Sequence, residues 1–504
     1  MTAPGAGYVH DLDTPLLMFS PADVWTLRDA AEGVLITGGI GSGKSSGSGA
    51  ALAKAYLRAG FGGLVCCVNV DEVERWRRYC AETGRERSLI VVDGSLSERF
   101  NFLDYQMTVG RGSAFEAVGV LLDILNAVAG RYDTAEGGKD QFWSDSLRRM
   151  LRAAILPLWA AHGRITLAEL MRFIHQRPKT RADLDPAGPW LDDSFWARTM
   201  SLAEQGGAHP MEPEDYQPVF DYWTEELIGG DDRTTGNILM TVTSRLDPFL
   251  TGNLRKLFCT DTTLVPELTF EAGAVIVLDL SAHAWGQEGI VGQQIFKVMW
   301  QRAISRRPER STNRPAFLFC DECQYLMAAS DQPYQSTARA KRALTVYLTQ
   351  NLPGMFVKIG GPHPQNVVDA LTGNLATKIA HAQPDPRTSE WMSSMIGKAV
   401  TWRQNVGESE GTSEGSNTSS GGSSGSGPGQ HGSSSYSSGT QHGSNRGRSR
   451  GASQVVDYHL QPSHFTTLRK GGGADRMTEA VIFQAGRVFT HTRSTWTATL
   501  FKQG

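Results

Sequence analysis

The chain has 504 residues, a length that allows about two to four structural units. Hydrophobic residues make up 40% and charged residues 20%, a composition typical of soluble globular proteins. The formal net charge of -3 excludes a globally basic protein, so any surface for nucleic acid must be local. No secretion signal and no stretch of about 18 apolar residues occurs, which predicts a cytoplasmic protein with no membrane span of its own.

Short apolar runs bounded by Gly, Pro or Asp predict buried strands. The runs are continuous rather than alternating, as in strands covered on both faces, and helical patterns separate several of them. They are residues 33–37, 63–69, 88–93, 274–280, 316–320, 344–349 and 376–381. We therefore predict an α/β fold with a mostly parallel sheet.

The first of these runs leads into a glycine-rich loop, GGIGSGKS, over residues 38–45. It matches the pattern GxxxxGK[ST], with an apolar strand before it and a small-residue helix after it. We expect Lys44 to contact the β- and γ-phosphates of ATP and the Ser45 hydroxyl to bind Mg²⁺. The expected nucleotide-binding residues are Gly38, Gly39, Ile40, Gly41, Ser42, Gly43, Lys44, Ser45 and Ser46.

Residues 112–260 differ from the flanking sequence, because apolar residues recur there at helical spacing. The segment predicts an all-α domain inserted into the sheet. The core would then consist of a first part, 1–111, and a second part, 261–405. An insertion of this size excludes compact kinases and small GTPases.

The run 316–320 is followed directly by two acids, Asp321 and Glu322. We expect Asp321 to hold Mg²⁺ and Glu322 to act as the general base toward the attacking water. Cys320 and Cys323 form a CxxC around these acids, but the acids explain the segment. The cysteines are expected to be buried reduced thiols rather than metal ligands or disulfides.

The next strand, 344–349, is followed by Gln350, our candidate sensor of the γ-phosphate and the lytic water. The alternative for Gln350 is a polar residue that caps the end of a strand. Arg339, Arg342 and Arg387 are candidates for an arginine finger that reaches the nucleotide of a neighbouring subunit. Each is alternatively a solvated or phosphate-contacting arginine.

Toward the C-terminus the composition changes twice. Residues 406–453 consist mainly of Gly and Ser without apolar periodicity, which predicts a disordered, flexible insertion. Over 454–504 β-branched and aromatic residues alternate with polar ones, which predicts a C-terminal β element that completes the core.

Together these motifs resemble those of the TraG/TraD-like conjugative coupling ATPases of type IV secretion, within the FtsK/HerA class of P-loop motors. Further similar segments are RFNFLDY (99–105), DQFWSDSLRRMLRAAI (140–155), LTQNLPGM (348–355) and LTGNLATKIAHAQPDPRTSEWMSSMIGK (371–398). The resemblance implies a RecA-like core that hydrolyses ATP, an all-α domain that receives substrate, and six subunits around a DNA channel. It assigns the corresponding roles to Lys44, Ser45, Asp321, Glu322 and Gln350.

The sequence departs from the family in two places. Members usually carry an N-terminal membrane anchor, whereas none is recognisable here, so docking to a secretion channel would need a partner at the inner membrane. Many members have Asp-x-Lys after the second strand, where this chain has Asn69-Val70-Asp71-Glu72.

Our main hypothesis is a ring-forming, homo-hexameric ATPase that translocates DNA or a relaxase–DNA complex and works with secretion or mobile-element proteins. The alternative is a cytoplasmic ATPase that recruits or remodels protein substrates without DNA translocation. A third hypothesis, a nucleotide-dependent scaffold with little turnover, conflicts with the Asp321-Glu322 pair.

Overall fold

The computed structural model describes residues 10–110, 113–128, 138–310, 312–328, 330–359, 363–422 and 434–504. The chain divides into two compact units. One consists of Met1–Met392 and Pro462–Gly504, and the other is Ser393–Gln461.

The strands are numbered along the chain. They are β1 Pro15–Ser20, β2 Asp23–Thr26, β3 Val34–Thr37, β4 Gly62–Cys66, β5 Leu89–Val92, β6 Val275–Leu278, β7 Ala316–Cys320, β8 Ala343–Thr349, β9 Thr377–Ala380, β10 Lys398–Gly422, β11 Ser434–Tyr458, β12 Met477–Gln484 and β13 Trp496–Lys502. In the first unit β1 and β2 form an antiparallel pair, and nine strands form one sheet in the order β13-β12-β9-β3-β8-β7-β4-β6-β5.

Seven neighbouring strands of this sheet, from β9 to β5, are parallel. β12 is antiparallel to β9, and β13 is antiparallel to β12. The predicted α/β fold with a mostly parallel sheet is therefore confirmed, and each predicted strand from 33–37 to 376–381 overlaps an observed one.

The helices lie between and around these strands. They are α1 Leu27–Ala31, α2 Ala50–Arg58, α3 Glu72–Glu82, α4 Phe102–Val109, α5 Ala114–Val128, α6 Gly138–His162, α7 Leu167–His175, α8 Pro189–Asp193, α9 Phe195–Glu204, α10 Pro213–Asp221, α11 Leu227–Gly229, α12 Asp232–Leu246, α13 Gly252–Phe258, α14 Leu268–Glu271, α15 Ala282–Arg306, α16 Asp331–Ala338, α17 Leu352–Ile359, α18 Pro364–Gly373, α19 Pro386–Ile396 and α20 His464–Thr467. Where the structure describes residues 112–260, their regular elements are helices.

Two hydrophobic clusters cover the two faces of the sheet, which explains why its strands are apolar without alternation. On β3, Leu35 lies in one cluster, and Val34 and Ile36 lie in the other. On β4, Leu64 and Val65 divide in the same way. Successive side chains of a strand point to opposite faces, so both sets must be apolar when both faces are covered.

The second unit corrects one prediction. Residues 406–453 were expected to be disordered, but β10 and β11 form an antiparallel hairpin with a one-to-one register from Lys398↔Tyr458 to Gly422↔Ser434. The part of the prediction at 423–433 lies outside the described residues. Composition misled here because a backbone ladder needs no apolar periodicity.

The described helices include none with both the length and the apolar character that a membrane crossing requires.

Candidate nucleotide site

The glycine-rich loop lies at the carboxyl edge of the parallel sheet, directly after β3. It continues into a helical turn at Ser45–Gly49 and then into α2. Gly41 and Gly43 have φ angles of 72° and 88°, a region that favours glycine. A Cβ on Gly43 would also lie 2.8 Å from the Cβ of Thr478, so the backbone can approach β12 only without a side chain. Ile40 is 82% exposed at the tip of the loop.

Three predicted residues meet at one carboxylate. Glu322 Oε1 accepts hydrogen bonds from Lys44 Nζ at 2.9 Å and from Gln350 Nε2 at 3.3 Å. These residues follow β3, β7 and β8, which are adjacent in the sheet, so their carboxyl ends bring the side chains together. The Lys44 and Glu322 side chains are only 10% and 12% exposed, so water screens their ion pair weakly.

The backbone and the electrostatics of Glu322 are both unusual. Its φ and ψ of 50° and 48° are left-handed, a conformation that costs a non-glycine residue about 1 kcal/mol and often marks functional sites. Burial alone would raise the pKa of Glu322, but the charge of Lys44 and hydrogen bonds from Lys44, Gln324 and Gln350 outweigh it and lower the pKa. Glu322 is therefore a carboxylate at neutral pH.

Asp321 is buried and contacts α3, which begins at the end of the segment that departs from the family pattern. Its Oδ2 accepts from the Arg75 guanidinium at 3.4 Å. Glu72 Oε1 accepts hydrogen bonds from the backbone and side-chain amides of Asn69 at 3.0 and 2.9 Å. Burial, and then the charge of Asp321, raise the pKa of Glu72 to about 8. The Asn69–Glu72 segment thus closes a turn before α3 and places Arg75 on Asp321.

Hydrogen bonds from residues that the sequence analysis did not predict fix the backbone of the glycine-rich loop and the turn after it. Thr478 Oγ1 on β12 donates to the Ser42 carbonyl at 2.6 Å. Ser48 Oγ lies 2.7 Å from His381 Nε2, and Thr478 Oγ1 lies 3.4 Å from His381 Nδ1. Burial lowers the pKa of His381 to about 3, so the ring is neutral at physiological pH. We call Ser48, His381 and Thr478 the loop clamp.

The candidate arginine fingers divide between the two edges of the sheet. Arg339 pairs with Glu32 at 3.0 Å, and Arg342 donates to the His10 carbonyl. Both precede β8 and lie at the edge opposite the loop. Arg387 lies in the first turn of α19, after β9, with its guanidinium 4.6 Å from the centre of the Phe356 ring. Of the three, only Arg387 is at the same edge as the glycine-rich loop.

The residues present fit a magnesium nucleotide. At the base of the loop, the buried hydroxyls Thr37 Oγ1 and Ser42 Oγ have no hydrogen-bond partner within the described part of the chain. Ser45 and Asp321 supply oxygen donors, as Mg²⁺ requires. Among the described residues no group of three or more His, Cys, Asp or Glu could hold a metal. Two protein oxygens, from Ser45 and Asp321, suit an ion whose other ligands include phosphate oxygens. The cysteines of the CxxC are buried and free.

Residues 315–456 match the family model described as the TraM recognition site of TraD and TraG. No curated protein sequence matches the chain.

Solved structures of the coupling protein TrwB share the fold. The unbound form of TrwBdeltaN70, a bacterial conjugative coupling protein, is 15% identical with a TM-score of 0.56, covering 96% of this chain and 87% of TrwB. The plasmid protein TrwB with the ATP analogue ADPNP is 15% identical with a TM-score of 0.55 (97% and 89% covered), and TrwB with ADP and Mg²⁺ is 13% identical with a TM-score of 0.57 (97% and 89%). The chain therefore shares the fold of the TrwB structures, and the predicted resemblance to the TraG/TraD-like family is confirmed.

Proposed function

We propose that the chain is an ATP-hydrolysing, ring-forming motor of the conjugative coupling type that moves DNA or a relaxase–DNA complex. The observation that carries this proposal is the convergence of Lys44 and Gln350 on Glu322 at the carboxyl edge of a coupling-protein fold. A carboxylate positioned by a P-loop lysine and a strand-end glutamine suits hydrolysis better than nucleotide binding alone.

The proposed mechanism begins with an exchange of partners at Lys44. In the arrangement described, the lysine neutralises Glu322. A nucleotide whose phosphates are held by the backbone amides of residues 38–45 would attract Lys44 to its β- and γ-phosphates. This would leave Glu322 as an unpaired carboxylate, so that substrate binding itself exposes the base.

The chemical step would then use Glu322 without the charge of Lys44 that lowers its pKa, which makes the carboxylate a stronger base. The carboxylate accepts a proton from water while Gln350 orients that water. The water oxygen forms a bond to the γ-phosphorus, and the bond from that phosphorus to the bridging oxygen breaks, which gives ADP and phosphate. Mg²⁺, held by Ser45 and Asp321, would supply positive charge against the phosphate oxygens.

The proposed partners follow from the relatives. The family model over 315–456 is named for TraM recognition, so we propose that this segment includes a surface for a relaxosome accessory protein. We further propose a homo-hexamer with a finger that acts between subunits. Arg339 and Arg342 lie at the sheet edge opposite the loop and would reach only a neighbour's nucleotide, whereas Arg387 lies at the loop's own edge.

A second candidate function is a protein-remodelling ATPase that does not translocate DNA, located in the cytoplasm or at the inner membrane through a partner. The match to a protein-recognition segment favours it. Capture of the full chain from nuclease-treated lysate separates the two candidates. Protein partners that persist without DNA, together with ATP turnover that DNA does not change, would favour remodelling.

The main proposal is tested by phosphate release from the full chain with and without single- or double-stranded DNA. We expect DNA to stimulate release, and Lys44→Ala and Glu322→Gln to abolish it. Glu390→Gln, an exposed acid on α19, is the control and should match the unsubstituted protein. Full turnover in both site variants would overturn the proposal.

A further inference from the structure

We propose that the β10–β11 hairpin pairs edge to edge with the hairpin of a second copy of this chain, with β10 of one copy beside β11 of the other. This inference depends on the second unit alone and does not rest on the proposed nucleotide chemistry.

The hairpin is long, and no third strand among the described residues pairs with either of its outer edges. Each strand has 25 residues, and every residue of one is paired with a residue of the other. At about 3.3 Å per residue the ribbon is about 80 Å long. Within the described residues, the sheet contains only these two strands. Each outer edge therefore presents a row of backbone N–H and C=O groups available to another strand.

Over most of the hairpin, several of the usual protections of an exposed edge are missing. Proteins block free edges with proline, lysine, bulges or very short strands. Neither Asn405–Gly422 nor Ser434–Gly451 contains a proline or a lysine, and the register over these residues has no bulge. An isolated two-stranded hairpin is only marginally stable in water, so a ribbon of this length gains most from additional strands.

The charges on the two strands differ in sign and select the partner. Between Asn405 and Gly422 the ionisable residues are all acidic. They are Glu408, Glu410 and Glu414. Between Ser434 and Gly451, apart from the phenol of Tyr436, they are all basic or can gain a proton. They are His442, Arg446, Arg448 and Arg450.

The register of one hairpin sets acidic positions of β10 opposite basic positions of β11. The register sets Glu408 opposite Arg448 and Glu410 opposite Arg446, and Glu414 Oε1 lies 3.5 Å from His442 Nδ1. Opposite charges on facing strands are stabilising, whereas like charges are destabilising. β10 against a second β10 would place acid beside acid, so the favourable contact between copies is β10 with β11.

We assign the partner of each free edge to a second copy of this chain, because the acidic edge and the complementary basic edge both belong to this chain. Each added hairpin again leaves one acidic and one basic edge free. Such a heterologous contact continues until the copies close into a ring or extend as a filament.

The test uses two charge variants of the full chain. The all-basic variant carries E408R, E410R and E414R, and the all-acidic variant carries R446E, R448E and R450E. Alone, each has like charges both within its hairpin and between copies. Mixed, the two restore opposite charges only between copies.

A single added cysteine on each chain reports the contact. Ser416→Cys on β10 is placed in one preparation and Thr440→Cys on β11 in the other, so a bismaleimide can join β10 to β11 only between copies. The native cysteines are buried and should not react. With unaltered charges the mixture should give a covalent dimer. We expect about a tenfold loss when both chains are all-basic, and recovery when all-basic Ser416→Cys meets all-acidic Thr440→Cys.

Three results would overturn the proposal. They are no dimer with unaltered charges, a yield indifferent to charge, or no recovery in the mixed pair. Absence of recovery would mean that the charges act only within one hairpin. If the dimer is lost only when an unrelated protein is removed, the edges bind that protein instead. Phosphate release measured on the same samples reports the nucleotide site separately.

Discussion

Removing the hydroxyl of Thr478 tests whether the loop clamp prepares the glycine-rich loop for phosphate. Thr478→Val keeps the shape of the side chain but removes the donor that lies 2.6 Å from the Ser42 carbonyl. Thr478 is fully buried, so that carbonyl would lose its donor without compensation from water. An unsatisfied buried acceptor costs about 1 to 3 kcal/mol. If the cost falls on the loop conformation, the Kd for a nucleotide rises about 5- to 150-fold.

The measurement is binding of a fluorescent ATP analogue, alongside urea unfolding to monitor global stability. Thr478→Ser keeps the hydroxyl and should retain affinity within a few-fold, although it loses the methyl group near Gly47. Thr499→Val is the matched control, because the Thr499 hydroxyl also donates to a carbonyl, that of Phe19, from the neighbouring strand β13. Unchanged affinity in Thr478→Val, or an equal loss in Thr499→Val, would refute the role of the clamp.

Three further predictions concern buried charges around the site. Glu322→Gln should retain ATP-analogue binding while phosphate release falls at least about 100-fold, and a small change would remove Glu322 as the base. The folded protein keeps the Glu72 proton up to a pKa of about 8, whereas the unfolded chain releases it near 4.5, so stability is lost as pH rises through that window. Glu72→Gln should abolish this loss of stability. The prediction is contradicted if the free energy of unfolding changes with pH in the same way for Glu72→Gln and for the unsubstituted protein between pH 5 and 8. Lys297→Met leaves Asp331 charged and unpaired, with both side chains 1% exposed, and should cost about 3 to 5 kcal/mol in urea unfolding. Lys54→Met, which removes a more exposed ion pair, should cost under about 1 kcal/mol, and equal losses would contradict the argument.

The sequence predicted the parts of the molecule that depend on local patterns. The strands of the parallel sheet were visible because both of their faces are covered, which leaves an uninterrupted apolar run in the sequence. Glu322 and Gln350 were found because each lies within two residues of the end of such a run, and Lys44 because it belongs to the glycine-rich loop that follows another. Neighbouring strand ends meet at one edge, which brings the three together. Their assigned roles remain proposals.

The loop clamp could not be found in this way. Thr478 and Ser42 lie 436 positions apart, and their contact depends on the antiparallel addition of β12 beside β9. A threonine in an alternating strand carries no local signal that its hydroxyl will hold a phosphate loop. Arg75 was missed for a similar reason, because its contact with Asp321 joins α3 to the end of β7.

The hairpin was missed for a different reason. Its alternation separates ionisable from small uncharged residues rather than apolar from polar ones. Every ionisable residue between Asn405 and Gly422, and between Ser434 and Gly451, occupies an even-numbered position. A period of two is the strand period, so the spacing of the ionisable residues is the sequence signal that indicates strands here.

The central claim is that ATP hydrolysis at this site drives movement along DNA. Displacement of streptavidin from the end of biotinylated DNA by the full chain tests it most directly. We predict displacement that requires ATP, is absent with ADPNP, and is lost in Glu322→Gln. DNA-bound protein that hydrolyses ATP but leaves streptavidin in place would contradict the account.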